Sequence, residues 1–342
     1  MKSILIVLVI IICSFQAKAQ DPIFTQYYLI PETLNPAYTG IANTWNAGFV
    51  HRRQWPDGNR KMDTQFAYLN TIVSDEVGVG MTVMNQNEVF TSLNYFKLNA
   101  AFSYKININY DWRVRFGLET GFGRKDYSFD NLLLEDQINI NTGQINPITV
   151  DPSIGDYRNK INFFDMAAGI EFDQENAWIG LSVKHLNRPN VAFREFGNVP
   201  LDMFLSVHGG YYIDVANSPR SILPPESTLL LTANYMRQGQ YNRLDLGTIV
   251  DFTRFSLGVI VATNPEGKSD NSHFLTSVNP VFSFKANEFT FGYSYDWNLS
   301  NLGRTQGIHE ITLIWQSSRR CDSCDEYRLK LKRNGEEGYP LR

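Results

Sequence analysis

The clearest pair of reactive side chains lies near the carboxyl end, in Cys321-Asp322-Ser323-Cys324. Two thiols at this spacing are typical of half a zinc site, of a redox motif or of a disulfide. A structural zinc site needs four ligands, and the chain has no second such pair. A redox motif needs a helix amino terminus, which the surrounding sequence does not predict. In an oxidising compartment we therefore predict a local or intermolecular disulfide, with a metal site shared with a partner as the weaker alternative.

Ser206 and His208 form a second candidate pair. They are two residues apart in an alternating run, so both should face the same side of a strand. A hydrolase would also need an acid that orients the histidine. Because a pair two residues apart often arises by chance, we predict no catalytic residue and no enzyme activity. The sequence also predicts no cofactor and no metal site within the chain.

The segment Arg52-Arg53-Gln54-Trp55 combines two guanidinium groups with an indole. One interpretation is an anchor at a membrane surface, with the tryptophan among headgroups and the arginines on phosphates. The other is a contact to a secreted protein or to lipopolysaccharide. Both remain open.

An acidic set lies in the long connection between residues 127 and 161. Its spacing does not match a calcium-binding loop, so we predict a solvated, charged loop. The set comprises Asp130, Glu135, Asp136, Asp151 and Asp156.

Composition and the amino-terminal region limit the class of protein. The chain has 342 residues, with 31 basic and 35 acidic side chains and a net charge of −4. Nucleic-acid binding is disfavoured because it requires a basic surface. A basic start, an apolar run and small residues before Gln20 predict a signal peptide over residues 1–19, cleaved after Ala19. Lipid attachment at Cys13 is the weaker alternative, because the preceding Ile12 is not small.

Period-two alternation dominates the rest of the sequence and predicts β-strands. In one run, apolar residues from Phe96 to Ile106 alternate with polar ones from Lys97 to Asn107. Several runs reach the 9–11 residues that a tilted strand needs to cross a bilayer. We predict about fourteen strands, at residues 46–54, 64–72, 77–86, 94–107, 112–125, 162–173, 177–186, 203–214, 228–237, 242–252, 255–264, 274–286, 288–297 and 307–316.

Three observations favour a membrane barrel over a soluble sandwich. The polar faces carry charges together with glycine, tryptophans lie near strand ends, and short connections alternate with long ones. The connection 215–227 and the short link 236–241 are exceptions, and Pro280 should mark a bulge or a kink. We therefore predict an all-β, transmembrane outer-membrane antiparallel β-barrel of about fourteen strands. On adjacent strands, charged side chains should face the lumen: Lys97, Lys105, Arg113, Arg115 and Glu119.

Two stretches lie outside the predicted barrel at 45–316. Residues 20–44 are polar and aromatic with three prolines, and could plug the lumen, line the periplasmic mouth or form an ordered lead-in. Residues 317–342 carry mixed charges and should form a periplasmic carboxy-terminal tail, either solvated or bound to a partner.

The opening block resembles that of the PorP/SprF family. It contains Gln20-Asp21-Pro22, Phe24-Thr25-Gln26-Tyr27 and Leu34-Asn35-Pro36-Ala37-Tyr38-Thr39-Gly40. Further along, four elements are similar to family motifs: Arg52-Arg53-Gln54-Trp55, Gly78-Val79-Gly80, Phe116-Gly117-Leu118 with Gly121, and His309-Glu310-Ile311-Thr312-Leu313. The similarity runs from about residue 20 to 316. The tail beyond Trp315, about 27 residues long, departs from the family pattern.

The resemblance implies an outer-membrane barrel of the type IX secretion system. It implies a role in secretion and in surface anchoring of large cargo, such as gliding adhesins, by binding their carboxy-terminal sorting domain. The implied partners are that sorting domain, periplasmic components of the secretion system, and outer-membrane lipid with lipopolysaccharide. We expect the contact residues in the opening block and at the end of the first strand: Asn35, Pro36, Tyr38, Arg53, Gln54 and Trp55. An outer-membrane channel or transporter for small molecules is the rival hypothesis.

Overall fold

The computed structural model describes most of the chain between Asp21 and Ser317. The described residues are 21–56, 61–90, 92–127, 137–139, 142, 144–146, 158–216, 224, 227–266, 274–299 and 307–317. The predicted signal peptide, the acidic loop set and the Cys321/Cys324 pair lie outside these residues.

A closed antiparallel barrel of fourteen strands forms the body of the molecule, as the sequence predicts. Each strand pairs with its chain neighbours, and β1 closes the barrel against β14, with Asn46 opposite Gln316 and Gln54 opposite Ile308. The strands are β1 (Asn46–Gln54), β2 (Met62–Ile72), β3 (Val77–Glu88), β4 (Leu93–Asn107), β5 (Arg113–Asp126), β6 (Lys160–Asp173), β7 (Ala177–Lys184), β8 (Phe204–Asp214), β9 (Thr228–Gln238), β10 (Tyr241–Asp251), β11 (Phe255–Thr263), β12 (Leu275–Ala286), β13 (Phe289–Asn298) and β14 (Ile308–Gln316).

The barrel is apolar outside and polar inside. On β4, Phe96, Leu98 and Phe102 are exposed on the outer face, whereas Lys97 and Lys105 are buried on the inner face. In water an exposed apolar face of this kind would be unfavourable; in a bilayer it is the lipid-facing surface. The alternation thus fixes which side of each strand faces the lumen.

The two ends of the barrel differ. Short connections such as 73–76, 174–176 and 287–288 join strands at one end, which we call the turn end. Most connections at the other end, the loop end, are longer, among them 127–159 and 185–203. The two exceptions that the sequence predicts are present: the connection 215–227 at the turn end is long, and the link between β9 and β10 at the loop end is short. The connection 89–92 is a further short link at the loop end. Odd-numbered strands therefore run from the turn end to the loop end.

Pro280 interrupts the ladder without shifting it. On the β11 side it lies opposite Val259 in a continuous register. On the β13 side, pairing passes from Val278 to Val281 and leaves out Asn279 and Pro280, while the register stays the same. A proline has no N–H to donate, which accounts for the gap. The irregularity expected at Pro280 is thus a gap, and the register shift of this region lies between Ala262 and Thr263.

Residues 21–44 lie inside the barrel, and we call them the lumenal segment. Two short 3₁₀ turns, Pro31–Thr33 and Pro36–Tyr38, give the segment its shape, and a proline begins each. Asn35 caps the second turn by accepting a hydrogen bond from the Ala37 N–H at 2.9 Å. Within the described residues, no helix is long and apolar enough to cross a membrane.

Glycines in the wall make room for the second 3₁₀ turn. A Cβ atom at Gly117 would collide with the backbone of Pro36 and Ala37, and one at Gly169 would collide with the side chain of Asn35. At these two positions the segment approaches the wall so closely that only glycine leaves enough room.

Candidate functional site

The lumenal segment is the most deeply buried part of the chain that the structure describes. Asn35, Ala37 and Tyr38 have no exposed surface. Wall side chains from several strands hold the backbone of the segment. Ser182 of β7 donates to the Leu34 carbonyl at 2.7 Å, and Ser103 of β4 donates to the Thr39 carbonyl at 2.6 Å. Contacts on widely separated strands place the segment within the lumen.

The segment runs through the lumen from the loop end to the turn end. At its start, the Asp21 N–H donates to the side chain of Gln238, the last residue of β9. At its finish, the Thr44 hydroxyl donates to the carbonyl of Ser317, which directly follows β14. The chain therefore passes through the lumen before it enters β1.

A buried ionic group, which we call the seam cluster, links the segment to the closing strands. Arg52 of β1 donates to Glu310 of β14 at 2.8 Å and to Asp296 of β13 at 2.7 Å. The Thr25 hydroxyl donates to Asp296 at 2.8 Å, and the backbone N–H groups of Thr25 and Gln26 donate to the two Glu310 oxygens at 3.0 and 2.7 Å. All three charged side chains are at most 2% exposed.

The seam cluster satisfies a condition that buried charges must meet. Ions removed from water are stabilised only when other ions and hydrogen-bond donors surround them. The segment supplies two of those donors to Glu310. The closure between β1 and β14 is therefore electrostatically complete only with the segment in place.

A second ionic group, the latch cluster, holds the start of the segment near the loop end. His185 lies between two carboxylates, with Nε2 at 2.7 Å from Asp21 and Nδ1 at 2.9 Å from Asp165. Lys97 donates to the other oxygen of Asp165 at 2.6 Å. Asp21 of the segment is thus held by His185, and His185 is held in turn by Asp165 of β6 with its partner Lys97 of β4.

Burial and charge act in opposite directions in the latch cluster. Burial disfavours the ionised form of Asp21, but the charge and hydrogen bond of His185 outweigh it and hold the pKa of Asp21 well below its usual range. Burial likewise disfavours the imidazolium, but Asp21 and Asp165 raise the pKa of His185 above its ordinary value of 6.5. The two carboxylates therefore favour the charged form of the histidine between them.

Ser206 and His208 face the same side of β8, as predicted, and that side is the lumen, where they pack around the segment. The Ser206 hydroxyl lies 3.0 Å from His208 Nδ1 and 2.9 Å from Asn234 Oδ1. The other ring nitrogen of His208 lies 3.4 Å from Asn35, and its ring packs against Tyr38. In the described part of the chain no carboxylate contacts His208, so an orienting acid is missing.

The lumen wall next to the segment carries further ion pairs. Arg113 donates to Asp173 at 3.0 Å, Arg115 lies 4.0 Å from Glu171, and Glu119 accepts from Asn99 at 3.0 Å. The charged side chains that the alternation assigned to the lumen therefore lie inside the barrel.

At the turn end the segment leaves part of the lumen unfilled. A cavity lies between the segment and the wall formed by β10 to β14 with β1 and β2, and Glu32 contributes to its lining. Glu32 is 6% exposed and its Oε1 accepts from Asn70 at 2.8 Å. Burial raises the pKa of Glu32 to about 7, and hydrogen bonds from its own backbone and from Asn70 offset only part of this effect.

Comparison with known proteins identifies the family. Residues 16–315 match the model of the type IX secretion system membrane protein PorP/SprF. The chain belongs to the PorP/SprF family. It is therefore an outer-membrane β-barrel of the type IX secretion system, and it functions together with other components of that system. No curated protein matches it.

Solved structures similar to this PorP/SprF chain share little sequence with it. The toluene transporter TodX of P. putida is 8% identical, covers 84% of this chain and 93% of its own, and has a TM-score of 0.47. A FadL homologue of Pseudomonas aeruginosa is 10% identical over 82% and 92%, with a TM-score of 0.43. A mutant porin of Rh. blastica is 8% identical over 80% and 99%, with a TM-score of 0.34. Similarity at this level carries no conclusion about function.

The structure divides the predicted contact residues of this PorP/SprF chain into two groups. Asn35, Pro36 and Tyr38 are buried in the lumen, where they contact the barrel wall. A direct contact between these residues and a partner would require the segment to leave the lumen.

The other three lie at the loop end of β1. Arg53 is 43% exposed on its side chain and donates to Asp63 at 2.7 Å, while Gln54 and Trp55 are half-buried. Trp55 adopts a left-handed backbone conformation with φ of 50°. A role of either group in partner binding stays a prediction.

Sequence reasoning missed the residues that hold the segment. Asp296 and Glu310 of the seam cluster, and Asp165 and His185 of the latch cluster, were not predicted as site residues. A signal was available: each is an ionisable residue on, or directly after, a strand whose other face is apolar. Charged residues on the inner face of a barrel indicate the lumen, but the sequence alone does not show which of them form ion pairs with each other or with the segment.

Proposed function

We propose that this protein acts as a closed barrel that binds and anchors secreted cargo at the cell surface, rather than as a channel for small molecules. The observation that carries the proposal is the lumenal segment. A diffusion channel needs water along its axis, whereas here fully buried side chains such as Tyr38 occupy the lumen. The family match supports a role in secretion, and the filled lumen supports binding at the outside of the barrel.

The proposed binding surface is the loop end. Arg53, Gln54 and Trp55 lie there, and Phe196 in the connection between β7 and β8 is 94% exposed. Exposed aromatic and arginine side chains are enriched at protein interfaces. The proposed ligand is the carboxy-terminal sorting domain of a large surface protein, such as a gliding adhesin. Lipopolysaccharide is the other molecule that these side chains would meet.

The turn end is proposed to face the periplasm and its secretion components. The short turns and the predicted signal peptide support this orientation, under which residues 317–342 would lie on the periplasmic side. A disulfide involving Cys321 and Cys324 would belong to that compartment, with or without a partner thiol.

Deletion of the gene, followed by comparison of surface and medium proteins, tests the proposal. Anchoring predicts that one large surface protein moves from the cells into the medium. Accumulation of many exported proteins in the periplasm would instead indicate a general secretion role and would overturn the anchoring proposal.

Complementation with variants then tests the loop end. Trp55→Ala should release the same surface protein, because it removes the largest side chain of the proposed contact. Trp112→Ala is the matched control, since Trp112 is an exposed tryptophan at the turn end. Equal retention of the surface protein by both variants would argue against the loop-end contact.

A further inference from the structure

The cavity at the turn end has the properties of a binding site. It lies between the lumenal segment and strands β10 to β14, β1 and β2, and Tyr28, Tyr68 and Ile249 contribute to its wall. Arg254, Lys285 and Gln316 line the same cavity. All three lie in, or within two residues of, the end of a strand at the turn end, so they mark its mouth.

The inner part of the cavity offers an acceptor for a cation. Glu32 Oε2 is buried and has no hydrogen-bond partner among the residues that the structure describes. A buried carboxylate oxygen without a donor is unfavourable, so a basic group placed there would be stabilised. The rings of Tyr28 and Tyr68 in the same wall suit a guanidinium or ammonium group.

The mouth of the cavity carries a net positive charge. Arg254 is exposed and forms no ion pair with any residue described by the structure, while Lys285 and the carboxylate of Asp251 lie on the same rim. The two basic groups outnumber the one acidic group, and Arg254 is therefore open to an acidic group of a ligand. A ligand that suits the whole cavity therefore carries a basic group first and acidic groups behind it.

The chain itself supplies a segment with this order of charges. Gln316 lines the cavity, and the next residue, Ser317, is fixed at its edge because its N–H donates to the Trp45 carbonyl at 2.9 Å. Arg319 and Arg320 follow, and then Asp322, Asp325 and Glu326. An extended chain spans at most about 3.6 Å per residue, so the Cα of Arg319 lies within roughly 11 Å of the Cα of Gln316.

We propose that the turn-end cavity binds the chain's own carboxy-terminal tail, with Arg319 or Arg320 against Glu32 and the following carboxylates against Arg254. A peptide from a partner could offer the same charges. The tethered tail has the advantage, because a short linker gives it an effective concentration of the order of millimolar. Binding would connect the end of the chain to the lumenal segment, since Glu32 belongs to that segment. The proposal does not depend on cargo anchoring.

Disulfide trapping in the purified full-length protein tests this site. In a Cys324→Ser background, Cys321 is the only cysteine left after residue 13. Ala42, which lines the cavity, is changed to cysteine, and Glu175→Cys at an exposed turn on the opposite side of the barrel is the matched control. After mild oxidation, we expect the intramolecular disulfide between residues 42 and 321 to form at least ten times faster than the one between residues 175 and 321, as measured by mass spectrometry.

Charge variants separate a specific site from mere proximity. Glu32→Gln, and separately the double change Arg319→Gln with Arg320→Gln, should each reduce the trapping rate several-fold while the barrel keeps its heat-resistant mobility on gels. Trapping that these changes leave unaltered would overturn the charge-based site. Equal trapping at residues 42 and 175, or in intact cells a disulfide from residue 42 to another protein instead of Cys321, would overturn binding of the tail.

Discussion

At the scale of single residues, two adjacent arginines on β1 lie in different surroundings, one in the lumen and one at the surface. Arg52 points inward and joins Asp296 and Glu310 with 2% of its side chain exposed, whereas Arg53 pairs with Asp63 and is 43% exposed. Alternation along the strand accounts for this difference. In the sequence they are one basic pair, but their surroundings differ, and so should their contributions to the free energy of unfolding.

We expect Arg52→Ala to destabilise the barrel by about 3–5 kcal/mol, because it leaves two buried carboxylates without their counterion. Arg53→Ala is the matched control, and its exposed pair should contribute at most about 1 kcal/mol. Urea unfolding in lipid bilayers, followed by tryptophan fluorescence, measures both. Equal losses for the two variants would contradict the role of the seam cluster.

The latch cluster should loosen as pH rises. The pKa of His185 is raised above 6.5, so the contribution of its imidazolium is fully present below that value and is lost as pH passes through the raised pKa. The pKa of Asp21 is lowered below 3.8, so its contribution is lost only in strong acid. The start of the segment should therefore be held most firmly between these two ordinary pKa values.

Labelling of a Pro22→Cys variant with a membrane-impermeant maleimide measures this loosening. Relative to Asn198→Cys in an exposed loop, which corrects for the reactivity of the thiol itself, the labelling rate should rise with pH. The added change His185→Asn should abolish most of that rise. A constant ratio across the range would exclude a titrating latch.

At the scale of elements, the strands were predictable and the path of the segment was not. A strand with one face in lipid and one in the lumen must alternate, and that pattern gave strand positions within a few residues and the strand count of fourteen. The segment has no such periodicity. Its position depends on contacts with residues far along the chain, such as Thr25 with Glu310. It also depends on wall glycines that leave room for the segment, and the sequence does not show which residues they lie against.

The fit between β5 and the second 3₁₀ turn can be tested at Gly117. A side chain at this position would collide with Pro36 and Ala37, so Gly117→Val should displace the segment while the outer wall persists. Faster proteolysis of the segment in the purified protein would show this. Ala100→Val is the control, because Ala100 faces outward on the neighbouring strand β4. A protected segment in the Gly117 variant would show that the wall can adapt.

At the scale of the whole molecule, the filled lumen separates anchoring from transport. The intact protein should show little conductance in planar bilayers, whereas deletion of residues 21–44 should give open, noisy pores, because fourteen strands enclose a lumen wide enough for water once the segment is gone. Retained barrel mobility on gels controls for folding of the deleted form. A stable, ion-selective current from the intact protein would favour the channel hypothesis.

The direction of the lumenal segment constrains how the protein can be handled and made. Because Asp21 lies near the loop end, anything fused directly ahead of it would have to fit within the barrel mouth or emerge on the outside. With the predicted cleavage after Ala19, the lumenal segment would be the first part of the exported chain, and β14, the last strand that the structure describes, would have to close around it. Under that prediction we expect affinity tags directly ahead of the segment to impair biogenesis, whereas insertions in the long loop-end connections should be tolerated.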